Sequence, residues 1–452
     1  MNGTNTVRAS DEIRYRGTGS GRSNSIYILG ILIAAVSAMA LVWKGPTATL
    51  AILALLFALI LFSRPFVTLC LLTALIGMEA LNTIQTGEVY SITGIKIVGL
   101  ILIFSLLPQI ALRRFRFRAG PEMLAMLIFL TGIAVGFFNA ANMTLSVRAA
   151  LTYVQLIVLW FAVQLIVNDI RHLRILGIVA ILTLAISAFA GIYQYIADPA
   201  LRISGTSQNA AVLSADLYVA LWFCLVLAAG AVHETSKFLW RAMFVLLLAG
   251  ILCSLSRAAY LAFIPSVLVA AIFYGRGKKA LPALIAVIIL IAILAPFTIR
   301  RLAETSIITD SSTRGHFYSI KAGLKMIADH PIAGVGLGNY PEHYLRYVND
   351  PGMVPRTPHN SYIAIGAEMG IPSLLAFLLI HLLAFRALWK ACRSMRMSGD
   401  REGLLYAAAI AGALAAVVII GLFHSLQVTK YLWILLALAA HFPKTGDEAD
   451  TT

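Results

Sequence analysis

The sequence predicts an all-α fold, a polytopic transmembrane bundle of about twelve to fourteen spans interrupted by one long extramembrane loop. Two observations carry that prediction. Hydrophobic residues make up 60% of the 452 residues and charged residues 12%, with a mean hydropathy of +0.87; soluble domains are nearer half apolar and a quarter charged. Apolar runs of bilayer length also follow one another with no polar domain between them, which favours one membrane domain over several soluble ones.

The elements follow in chain order. Residues 1–24 are polar, rich in Arg, Ser, Gly and Thr, and read as a disordered cytoplasmic tail without a cleavage signal. Candidate spans are Ser25–Trp43, Thr47–Phe62, Phe66–Leu81, Ile92–Ile110, Glu122–Asn139, Ala149–Val167 and Leu173–Ile196. Ala210–Val232, Leu239–Leu255, Ala258–Tyr274 and Leu281–Pro296 come next. Together these form an N-terminal membrane region, 25–298, followed by a long loop, 299–360. Ser361–Leu388, Gly403–Phe423 and Leu426–His441 form a C-terminal membrane region, 361–441, before a short tail, 442–452. If the tight junctions near Lys44 and Arg257 each hold a re-entrant pair, the lower number of spans applies.

Charge orients this map. With the N-terminus in the cytoplasm, the cytoplasmic connections hold Arg64, then Arg113, Arg114, Arg116 and Arg118, then Arg171 with Arg174, and later Arg276, Lys278 and Lys279. The opposite short loops hold single cations such as Lys44, Lys96 and Lys430. That alternation follows the positive-inside rule, sets both termini in the cytoplasm and puts the long loop outside, in the periplasm of a Gram-negative cell. The formal charge of +15 is then a property of cytoplasmic loops, and nucleic acid is not an expected partner. Cys70, Cys224, Cys253 and Cys392 lack metal-ligand spacing and read as small apolar residues.

The long loop holds an expected amphipathic helix at 312–330, with Phe317, Ile320, Leu324 and Ile327 at helical spacing for packing on the bundle. Pro331 ends it. Gly334, Gly336 and Gly338 read as a turn, because no strand or crossover unit surrounds them as a nucleotide loop requires.

Several polar residues invite chemistry. His359 sits in Thr357-Pro358-His359-Asn360-Ser361, at a helix start that favours neutral imidazole. It is either a general base or an interfacial histidine that satisfies backbone groups. His316, His330 and His343 share its loop without the spacing or carboxylates of a metal site, and no metal is expected. Arg257, between two apolar runs, and Arg202, in a short outer loop, are either anion ligands or snorkelling side chains. Arg300, Arg301, Arg314 and Arg356 add positive charge to a face where the positive-inside rule expects little, which points to an anionic ligand.

Four stretches also resemble the O-antigen ligase and polymerase superfamily, membrane glycosyltransferases that use polyprenyl-pyrophosphate donors. They are Arg202-Ile203-Ser204-Gly205-Thr206, Leu255-Ser256-Arg257-Ala258-Ala259, the run from His330 to Tyr340, and Pro358-His359-Asn360-Ser361-Tyr362 followed by 366–370. The resemblance covers roughly 150–440 and leans toward the ligase side. It implies His359 as general base and Arg202 and Arg257 as pyrophosphate ligands. Arg314 matches a further family cation, although Phe317 and Tyr318 stand where the family commonly has Trp. Asn360 and Glu368 are candidates for orienting the imidazole or the acceptor. The implied donor is a glycan on undecaprenyl pyrophosphate, the acceptor lipid A–core, the surroundings membrane lipids, and no cofactor is needed. A polymerase with the same donor, a protein O-oligosaccharyltransferase, and a transporter of lipid-linked or anionic solutes are the alternatives. Few acids lie in the spans, chiefly Glu79, Asp216 and Glu368, which counts against proton-coupled transport.

Overall fold

A computed structural model describes residues 46–79, 83–85, 91–111, 120–198, 203–207, 209–275, 311–348 and 353–442. The tails, the expected spans Ser25–Trp43 and Leu281–Pro296, the Lys44 junction, the arginines at 113–118, Arg202, Arg300 and Arg301 lie outside the described residues. Residues 1–63 form one compact unit, of which helix α1 (Pro46–Ser63) is the described part; Arg64–Thr452 form the second.

The second unit runs α2 (Pro65–Gly77), β1 (Thr83–Gln85), β2 (Ser91–Thr93), α3 (Gly94–Ala111), α4 (Pro121–Val135), α5 (Met143–Ile166) and α6 (Ile170–Ala197). It continues with α7 (Ala210–Gly230), α8 (Glu234–Cys253), α9 (Arg257–Tyr274), α10 (Ser311–Asp329), α11 (Tyr340–Tyr347), α12 (Ser361–Ser398), α13 (Arg401–Gly421) and α14 (Lys430–Ala440). Helices α5, α6, α7, α8, α9, α12 and α13 are each long and apolar enough to cross a membrane, and α3, α4 and α14 are shorter apolar helices. The polytopic helical bundle is therefore observed. The two strands form a small antiparallel hairpin, Ile84 opposite Ile92, that hydropathy did not foretell. Helices α8 and α9 both have spanning length, so the Arg257 junction joins two full helices rather than a re-entrant pair.

Small residues let the helices approach closely. Helix α13 buries Ala409, Gly412 and Ala416 against α7 and α9. A Cβ on Gly412 would lie 2.7 Å from the Trp222 ring. Trp222 Nε1 donates to Ser266 Oγ at 2.8 Å, and Ser266 Oγ donates to the Gly412 carbonyl at 2.8 Å.

Helix α12 is broken at Gly370, whose φ of 81° and ψ of 173° are open only to glycine. A helix break exposes backbone groups that must be satisfied inside the protein. The glycine-rich loop does this. Ile371 N donates to Pro331 O at 2.7 Å, and Val335 N donates to Ala367 O at 2.8 Å. The other side of the loop meets the α4–α5 turn, where Leu337 N donates to Gly136 O and Asn139 Nδ2 to Gly334 O. Buried Asn339 accepts from Asn142 N and donates to Ser146 Oγ. Gly334, Gly336 and Gly338 all have positive φ, and a Cβ at Gly334 or Gly336 would strike backbone atoms of Glu368 or Ala140. The turn expected from sequence is thus a wedge between α12 and the α4–α5 turn.

Helix α10 is amphipathic as expected, but its buried face differs. Ala322 and Met326 join a small core with Val335, Tyr340 and Tyr344, and Gly323 closes against Ile363 of α12. Phe317, Ile320 and Leu324 are exposed. Ile327, the fourth residue expected to pack, does lie against this core; the small residues beside it permit contact with α12 and leave Phe317, Ile320 and Leu324 outside.

Candidate active site

Four segments meet around one cavity of about 470 Å³. They are Ser204 with the first turn of α7 (Asn209–Val212), His316 in the first turns of α10, the stretch Arg356–His359, and the turn His424–Leu426 before α14.

Local chemistry fixes each segment. Gln194 Oε1 accepts from Ser204 N and Gly205 N, and Thr206 Oγ1 donates to the Gly77 carbonyl at 2.8 Å. Gly205 adopts φ +57°, and a Cβ there would sit 2.4 Å from Ser187 O. Asn209 caps α7, its Oδ1 accepting from Ala211 N and Val212 N at 3.0 Å. On the far side, Asn360 Oδ1 caps α12 through Tyr362 N and Ile363 N, while its Nδ2 donates to Leu422 O. Ser361 Oγ donates to His424 O and accepts from Leu426 N. The His424 turn is therefore bolted to the residues that follow His359.

His359 itself has φ +49°, a left-handed conformation uncommon outside glycine, although histidine enters it more readily than most residues. Such strain persists only where the surroundings hold it, and it aims this imidazole into the cavity wall. The His316 ring lies against it, with centroids 4.7 Å apart, and the His424 ring stands 6.2 Å from His316. The Arg356 guanidinium rests on Gly315, where a Cβ would come within 2.1 Å of Nη1. Among the described residues the cavity thus gathers three imidazoles, one guanidinium and the N-terminal end of α7. That is a setting for an anion and for proton transfer. Ser425, also in the lining, has a buried hydroxyl with no hydrogen-bond partner among the described residues.

The other expected site residues distribute as follows. Ser204 lines the cavity two positions along the chain from Arg202, which is outside the described residues. Arg314 occupies the first turn of α10, two residues before His316; its side chain is not among those described. Arg257 is the first residue of α9 after the Ser256 cap, is exposed, and is not in the cavity lining. Asn360 works as a cap. Glu368 Oε1 accepts from Tyr340 N at 3.4 Å and the carboxylate also binds Gly338 N–H, so it fastens the glycine loop to α12. Neither contact is with His359. His424 was not singled out from sequence, since a lone histidine at the end of an apolar run carries no local signal. Among the described residues no three His, Cys, Asp or Glu side chains are placed to hold a metal ion.

Residues 242–378 match the family model described as O-antigen ligase. Over this stretch the chain is similar to the O-antigen ligase family. The matched segment runs from α8 through the break in α12, and includes Arg257, His316, Arg356 and His359. The match and the helices of spanning length together support a multi-pass membrane protein of ligase or polymerase type. No curated protein matches the chain.

Proposed function

We propose that this protein is an O-antigen ligase: an inverting, metal-independent glycosyltransferase that moves a glycan from undecaprenyl pyrophosphate to a sugar hydroxyl of lipid A–core. It would act at the periplasmic face of the inner membrane, with both termini in the cytoplasm. The observation that carries this reading is the cavity in which His359, at positive φ, joins His316 and Arg356 of the family-matched segment and the N-terminus of α7 outside it.

In this mechanism His359 accepts the proton of the acceptor hydroxyl. The hydroxyl oxygen forms a bond to the anomeric carbon from the face opposite the pyrophosphate. The anomeric carbon–oxygen bond breaks, and its electron pair leaves on the pyrophosphate. Arg356 supports the developing charge, joined by Arg202, Arg257 and Arg314 as the resemblance implies. Guanidinium groups suit this because they grip phosphate in bidentate fashion, so Arg257→Lys should lower transfer, and full transfer by that variant would remove Arg257 from the pyrophosphate ligands. Asn360 and Glu368 hold the frame rather than the reacting groups.

The test is transfer by purified protein in detergent, given undecaprenyl-pyrophosphate glycan and lipid A–core without nucleotide. His359→Asn is the informative variant, because Asn tolerates the left-handed backbone that Ala would strain. A loss of about a hundredfold or more supports the base. Equal transfer by both proteins removes it. Transfer only to a lipid-linked repeat would replace the ligase by a polymerase. One observation favours the transporter: the Lys430–Glu79 ion pair lies within the bundle, within electrostatic reach of buried Asp216. Glycan transfer in neither assay would move weight to that reading.

A further inference from the structure

The outward face of α10 has no role in the chemistry above. Its inner face, with Gly315, Ala322, Gly323 and Met326, is buried on the protein. Its outer face presents Phe317, Ile320 and Leu324, one helical turn or two apart, with Phe317 64% and Leu324 56% exposed. Exposed Lys321 and Lys325 stand beside them, and no acidic residue precedes Asp329 in the helix. A large apolar stripe flanked by lysines is the pattern of a helix lying in a lipid interface.

Two further observations choose the occupant. The inner face of α10 closes on Ile363 and Gly366 of α12, a helix of membrane-spanning length. The exposed apolar surface also continues past the end of α10. Ile332, 72% exposed, follows the helix and abuts Gly370, and beyond Gly370 come the exposed Ile371, Leu375 and Leu382 of α12. Those α12 residues face outward from a spanning helix, where lipid is the ordinary neighbour.

From these observations we infer that the outer face of α10 docks on the membrane leaflet at the end of the bundle where α12 begins, and that its lysines select anionic phospholipid. Phe317, Ile320 and Leu324 enter the acyl boundary, while Lys321 and Lys325 meet the headgroup phosphates. His316 precedes Phe317 in the chain, so the docked leaflet sets the histidine cavity at headgroup level. The inference needs only a chain embedded in a membrane, and it stands or falls apart from the ligase reading.

The test uses the full chain in vesicles with a photoreactive benzoylphenylalanine at Ile320 or Leu324. An exposed position on α11, Glu342, is the control. Vesicles are phosphatidylethanolamine with phosphatidylglycerol, or phosphatidylcholine alone, and adducts are identified by mass. Phospholipid adducts at 320 and 324 but not at 342 are expected, with about threefold higher yield in the anionic vesicles. The double variant Lys321→Gln, Lys325→Gln should remove that preference. Equal yields in both vesicles would overturn the anionic partner. Adducts to a second copy or to residues 276–310, or no adduct above the control, would overturn the docking itself.

Discussion

Gly370→Ala and Gly399→Ala form a matched pair. Both glycines have φ near +80°, so both substitutions place a side chain in a left-handed backbone. At Gly399, the C-cap of α12, the new methyl meets nothing within 4 Å. The loss there is the conformational term alone, about 1–2 kcal/mol. At Gly370 the backbone region is one that only glycine enters readily, at about 1–3 kcal/mol. The methyl would also lie 2.0 Å from Ile332 O and 2.4 Å from Ile332 C, backbone atoms that cannot rotate away. The glycine loop must retreat, losing the bonds from Ile371 N to Pro331 O and from Val335 N to Ala367 O at about 1 kcal/mol each. The sum is about 3–5 kcal/mol for Gly370→Ala. Unfolding of the two variants in one detergent, followed by circular dichroism, measures the difference. Equal destabilisation would refute the wedge, because backbone strain alone would then account for both.

Three other outcomes follow from the same contacts. His316→Ala removes the ring against His359 and should lower turnover about tenfold through loss of aim, while His316→Phe keeps the ring and restores most of it; a Phe variant as poor as Ala would show that packing is not the role. Asn339→Ala leaves Asn142 N without its acceptor, while Ser146 Oγ and Leu337 O keep their bond to each other, and should destabilise by about 1–3 kcal/mol, read by the same unfolding assay. His343 on α11 is held below its ordinary pKa by burial first and then by Arg346 and His330, so the unfolded chain binds its proton more readily. Stability should therefore fall as pH drops through the ordinary histidine range, and His343→Asn should flatten the fall in melting temperature between neutral and mildly acidic buffer; an unchanged slope would contradict this.

Hydropathy located the helices because spanning length and composition are local properties of the chain. Where it fell short, the deciding term was a partner far away in sequence. Periodicity at 312–330 showed that α10 has two faces, but the large apolar residues were the natural choice for the buried one. Close approach to α12 reversed that choice, since Gly323 fits against Ile363 where a larger side chain would not. The glycines at 334, 336 and 338 were legible as a turn, and only their neighbours reveal that the turn completes a broken helix.

The site was half legible for a related reason. His359 stands in a stretch with a proline, a cap residue and a polar-to-apolar boundary, all local signals of a special position. The opposite wall has none of these. Ser204, Asn209 and the His424 turn lie outside the family-matched residues 242–378, and reach the cavity only because Ser361 bonds to His424 O and Gln194 pins Gly205. A wall built from outside the matched segment can vary while the matched wall keeps His316, Arg356 and His359. Acceptor choice is then better sought by exchanging Ser204–Val212 and His424–Leu426 between related chains than by altering the matched segment. The expected outcome is a changed acceptor in the transfer assay with donor use retained. Loss of donor use in such a chimera would instead assign that wall to the pyrophosphate.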